Sequence, residues 1–157
     1  MKKLAILIII LTTLMGCKKD EFIQDENTTA LQKLAVVPEL WENVSTPNSS
    51  ISYLQFYDDN LIPFSSIWIG DNCFVVSDFE LDLWNSEITI NSDTVFQIHR
   101  NRLNNQGVWS FIWTFEIIGN DMSLEIQQFK DGVLDDVVAN HSYRASEIIL
   151  DINKICE

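Results

Sequence analysis

Few side chains in this sequence have the type and spacing to do chemistry. The most informative are Arg100 and Arg102, two positions apart in a run that also carries Phe96 and Ile98. A period of two places all four on one face of a strand, so the guanidinium groups share that face with apolar side chains. A guanidinium held among apolar groups needs a carboxylate, an aromatic face or a ligand anion. Two readings stand: a clamp for a carboxylate or phosphate, or a structural pair stacked on Trp109 and wetted at a strand end. The two histidines, His99 and His141, offer less. His99 alternates with the arginines and faces the other way, and no His/Cys pair has metal-ligand spacing. Acidic pairs such as Asp58-Asp59 and Asp135-Asp136 fall at turns and lack the spacing of a calcium loop. No nucleophile elbow, phosphate loop or histidine-plus-carboxylate motif occurs. The expectation is a protein that is not an enzyme, with no metal and no cofactor.

The elements that position the arginines are read from the stretch Trp109 to Ile118, W-S-F-I-W-T-F-E-I-I. Its odd positions, Trp109 through Ile117, form one unbroken aromatic and apolar row, which needs cover from other strands. A hairpin loop over Asn104 to Gly107 sets Leu103 opposite Val108. Phe96 then faces Phe115, Ile98 faces Trp113, Arg100 faces Phe111 and Arg102 faces Trp109. On the other side a Gly119-Asn120 turn sets Met122, Leu124 and Ile126 opposite Ile117, Phe115 and Trp113. Two turns that put the same face inward predict an antiparallel meander. Further strands are expected over Leu40–Ser45, Ile51–Tyr57, Leu61–Ile69, a stretch from Cys73 with Val75, Phe79, Leu81 and Leu83 inward, Glu87–Ile90 and Val133–Arg144. Thr28 or Thr29 caps a short helix through Val36, and Ser146 caps a second bearing Ile148, Ile149, Ile152 and Ile155. The fold class is therefore all-β: an antiparallel up-and-down barrel of about eight strands with a short carboxyl-terminal helix, a sandwich being the alternative.

The chain has 157 residues, sized for one domain, and a formal net charge of −13 with a pI near 4.3. That charge argues against nucleic acid and anionic lipid headgroups as partners. Its 46% apolar content suffices for a core,. Residues 1–16 read as a signal peptide: basic Lys2 and Lys3, an apolar run from Leu4 to Leu14, then Met15 and Gly16 before Cys17. Leu14-Met15-Gly16-Cys17 resembles the lipobox of bacterial lipoproteins, which implies that the Cys17 sulfur is acylated and the chain held to a membrane by several acyl chains. Cleavage there would remove two lysines and no acid, leaving eight basic against 23 acidic side chains, a formal −15. Lys18-Lys19-Asp20-Glu21 resembles the surface-export tag of Bacteroidetes lipoproteins. The implied place is the outer membrane, lipid-anchored, facing the periplasm or the cell surface. Residues 17–29 are a tether and 30–157 the folded domain.

The short helix, the tryptophan on the first strand, the meander, the arginine ending the last strand and the final helix together resemble the lipocalins. The resemblance covers residues 30 to 156, with Glu39 where that family has a glycine. It implies that Arg144 stacks on Trp41, and that a small hydrophobic or amphipathic molecule is bound among Phe96, Ile98, Phe111, Trp113 and Phe115, with Arg100 and Arg102 at the mouth. The other reading is a filled barrel that contacts another envelope protein as an inhibitor, immunity-type or accessory lipoprotein. Cys73 and Cys156, left over once Cys17 is acylated, are either bonded to one another or two buried thiols.

Overall fold

A computed structural model describes residues 28–36, 40–45, 53–69, 73–104, 107–148, 151 and 154–156. The signal peptide, Cys17 and all of the tether but Thr28 and Thr29 lie outside the described residues. The helix α1 (Ala30–Val36) begins where Thr29 exchanges side-chain bonds with Gln32. The Gln32 backbone N–H donates to Thr29 Oγ1, and the Thr29 backbone N–H donates to Gln32 Oε1, a reciprocal box that satisfies two end donors,. Nine strands follow among the described residues: β1 (Trp41–Asn43), β2 (Tyr53–Phe56), β3 (Phe64–Ile69), β4 (Phe74–Asp78), β5 (Ser86–Asn91), β6 (Val95–Asn104), β7 (Gly107–Ile118), β8 (Asp121–Lys130) and β9 (Val133–Ala145).

The register read from the turns is the register observed. Phe96 pairs with Phe115, Ile98 with Trp113, Arg100 with Phe111 and Arg102 with Trp109. Across the Gly119-Asn120 turn, Ile117 pairs with Met122 and Trp113 with Ile126. The β8–β9 turn is Asp131-Gly132, both at positive φ, as a two-residue hairpin with right-handed strand twist requires,.

All strands belong to one antiparallel sheet in the order β4-β3-β2-β1-β9-β8-β7-β6-β5. Strands adjacent in sequence pair in the sheet except β4 and β5, which are its two edges, and β1 pairs with β9. The sheet is strongly curled. Phe64 on β3 lies five strands from Phe115 on β7, about 24 Å in a flat sheet, yet their ring centroids are 5.4 Å apart. Phe56 meets the same ring edge-on at 5.2 Å.

Where a closed barrel of about eight strands is the expectation, the sheet has nine strands and is open between β4 and β5. The cause lies in residues 79–85. Phe79 N–H bonds to the Phe64 carbonyl and Leu81 N–H to that of Leu61, so the chain keeps following the β3 side after β4 ends. It then turns through Asn85, at φ 49°, and enters β5. Phe79 and Leu81 are buried as expected, but Leu83, expected inward, is 72% exposed because the alternation breaks at this turn.

Inside the curl, Phe96, Ile98, Phe115, Phe64 and Leu54 are buried together with Ala30, Leu31 and Leu34 of α1. The helix is pinned over one end: Ala30 N–H bonds to the Ser92 carbonyl, and the Trp41 indole donates to the Leu34 carbonyl at 3.2 Å. A second cluster, Leu40, Tyr53 and Ile67 with Phe74 and Val76, lies on the opposite face of β2–β4. The carboxyl-terminal segment brackets that face. Ser146 N–H bonds to the Leu40 carbonyl at one end, and Cys156 N–H to the Phe74 carbonyl at the other. Cys73 and Cys156 are disulfide-bonded, with Cα atoms 5.1 Å apart. Of the expected second helix, Ser146–Ile148 are irregular, Lys154 closes a 3₁₀ turn onto the Asp151 carbonyl, and Ile155 makes a parallel bridge to Phe74. Pairing with the free edge of β4 competes with helix there; Ile149 and Ile152 lie outside the described residues.

Candidate functional site

Arg100 and Arg102 project from the inner face of β6, as their register requires. Two rungs separate them in character. Phe96 and Ile98 are fully buried, Arg100 is half-buried and Arg102 is exposed, so the inner face runs from packed core to open mouth. The Arg100 guanidinium carbon lies 4.1 Å from the centroid of Trp84 and 5.9 Å from that of Phe111. Burial, and then the charge of Arg102, lower the Arg100 pKa from its ordinary value. No carboxylate among the described residues makes an ion pair with it. Asp78 at the end of β4 lines the same cleft as Arg100, and its carboxylate accepts from the Ser65 hydroxyl.

The guanidinium borders a cleft of about 200 Å³ at the seam. Its walls are Trp68, Phe79, Trp84 and Trp113, with Ser66 and Ser77 paired across β3 and β4. Phe79 stacks on Trp84 at 5.9 Å and meets Trp113 at 5.2 Å. Trp84, 36% exposed, forms the rim. Three buried donors around this face have no partner: Arg100 Nε, Trp109 Nε1 and Trp113 Nε1. A buried N–H left unpaired costs about 1–3 kcal/mol, which an acceptor from a ligand or a water would recover. One rung beyond, Trp109 pairs with both Arg102 and Lys130. The Lys130 ammonium lies 5.2 Å from its ring centroid.

Several sequence expectations are corrected here. Phe96, Ile98 and Phe115 are buried in the core and do not line this cleft; the rings of Phe56, Phe64 and Phe96 close around Phe115 at 5.2–5.6 Å. Trp113 does line the cleft, and Phe111 flanks Arg100. Arg144 does not stack on Trp41. Trp41 pairs with Ala145, so Arg144 opposite Glu42 points outward, where it pairs with Asp121 at 3.3 Å. Trp41 is nonetheless structural, 4% exposed and hydrogen-bonded to α1. Trp68, Phe79 and Trp84 are the site residues that the sequence reading missed as a group. The signal for Trp84 was Asp82 and Asn85 around it, a turn composition that overrides strand alternation.

Comparison with protein-family models, with curated proteins and with solved structures gives no match.

Proposed function

We propose that this protein is an outer-membrane lipoprotein, anchored through acylated Cys17, whose curled sheet is a lipocalin-like barrel opened along one seam. Its work is non-covalent: it holds a small apolar or amphipathic molecule in the seam cleft between Trp84, Trp113 and Arg100. The observation that carries this reading is the cleft itself, aromatic on its walls, with Arg100 Nε and the Trp113 indole N–H at its edge lacking hydrogen-bond partners. Ligand sites combine apolar walls with a few convergent polar groups in this way. A volume of about 200 Å³ is below the roughly 300–1,000 Å³ of sites that enclose a drug-sized ligand. The bound molecule is therefore small, or extends out through the seam.

The packed core around Phe115 favours the other reading, an envelope protein-interaction module with a filled barrel. Titration of the protein with a panel of small amphiphiles, followed by tryptophan emission, separates the two. Binding predicts a saturable change that Trp84→Ala weakens and Ser77→Trp, which fills the cleft, abolishes. No response to any member of the panel refutes the binding reading.

A further inference from the structure

Only six basic side chains fall among the described residues: Lys33, Arg100, Arg102, Lys130, Arg144 and Lys154. Arg144 and Lys154 are in ion pairs, and Lys33 Nζ donates to the Asp93 carbonyl. The other three lie on one face of three neighbouring strands. Arg100 pairs with Phe111, and on the next rung Arg102, Trp109 and Lys130 stand side by side. None of the three has an ion-pair partner among the described residues. In a chain of net charge −13, half of the described cations are thus gathered unpaired at one mouth. The acids nearby hold other donors: Asp78, at the cleft, accepts from the Ser65 hydroxyl, Asp131 from the Val108 N–H, Asp135 from the Gln128 amide and Asp136 from the Val137 N–H.

We infer that this mouth binds the phosphate group of a phosphorylated amphiphile, with Arg100 and Arg102 on the phosphate, Lys130 beside it and the apolar chain in the seam cleft. The inference rests on the cleft being a binding site and names the class of molecule it takes. Two guanidinium groups two residues apart repel one another; a single carboxylate offsets one charge, whereas a phosphomonoester carries up to two. The donors also outnumber a carboxylate's two oxygens. The guanidinium forks are joined by the unpartnered N–H groups of Trp109 and Trp113, and three phosphate oxygens accept from more of them. A free phosphate ion would leave the adjoining aromatic walls unused, which is why the phosphate is placed on an amphiphile.

The test uses the full chain with Cys17→Ser, which removes the acyl anchor and leaves every described residue unchanged. Decyl phosphate, decanoate, decyl maltoside and inorganic phosphate are each titrated by calorimetry and tryptophan emission, below their micelle concentrations. Decyl phosphate is expected to bind roughly tenfold or more tightly than decanoate, as a further charge-assisted contact gives. Arg102→Met, at an exposed position, should abolish that preference while leaving the unfolding midpoint and decyl maltoside binding unchanged. Equal affinity for the phosphate and the carboxylate, or a preference that survives Arg102→Met, overturns the inference and leaves the cleft as a site for amphiphiles. Inorganic phosphate binding as tightly as decyl phosphate overturns the amphiphile assignment. Silence from all four probes overturns both this inference and the binding function beneath it.

Discussion

Reduction of the Cys73–Cys156 bond should destabilise this protein more than any single surface change. The two cysteines are 83 residues apart in sequence, so the bond closes most of the sheet into one loop in the unfolded chain. In the chain-entropy treatment a loop of that length is worth about 4.5 kcal/mol at 25 °C, a large part of a typical domain's stability of about 5–15 kcal/mol. Urea unfolding with and without reductant measures it. At a slope of about 2 kcal/mol per molar, the midpoint should fall by about 2 M on reduction. Cys73→Ala, Cys156→Ala and the double variant should all unfold near the reduced wild type, because each removes the same bond. The loss should also expose the apolar face of Leu40, Tyr53 and Ile67, since Cys156 fixes the end of the segment that brackets it. A dye that binds exposed apolar surface should then respond before global unfolding. Oxidised and reduced midpoints within about 0.5 M of one another would refute the reasoning.

Three other outcomes are expected. Cys17→Ser should leave an unprocessed precursor that takes up no labelled fatty acid; normal labelling would sink the lipoprotein proposal. Phe115→Ala, in a fully buried site ringed by Phe56, Phe64 and Phe96, should cost about 3–5 kcal/mol in urea unfolding; a loss below about 1 kcal/mol would show that the ring is not closely packed. Burial pushes the Tyr143 hydroxyl up to about 12 from its ordinary 10.0, with the Asn43 hydrogen bond acting against it. The folded state thus favours the neutral phenol, a contribution intact below pH 10 and lost as pH rises to about 12,. Wild-type stability should fall more steeply over that window than Tyr143→Phe, by about 2–3 kcal/mol in all; parallel profiles would contradict the assignment.

What the sequence determined by itself was local. Side-chain alternation in β6–β8, the loop over Asn104 to Gly107 and the turn residues Gly119-Asn120 fix which residues oppose which, because a one-residue slip would turn the whole aromatic row outward. Arg100 and Arg102 were placed on the inner face by that arithmetic alone. The short helix was legible too, since Thr29 and Gln32 stand three apart and cap it reciprocally. The Cys73–Cys156 pairing remained one of two readings until the folded chain brought the cysteines together.

Tertiary structure decided the rest. Whether β4 and β5 pair depends on where residues 79–85 bury Phe79 and Leu81, and that depends on β3, far along the curl from the strands that line the other side of the cleft. Trp84 joins Arg100 only because this turn carries it across the seam. The orientation of Arg144 follows from its pairing opposite Glu42, a register between strands about 100 residues apart that no local turn sets. Ile155, in a stretch apolar enough for a helix, bridges instead to Phe74 at the edge of β4, beside the bond between Cys73 and Cys156. In each case the deciding partner is distant in sequence, and periodicity along one strand carries no information about it.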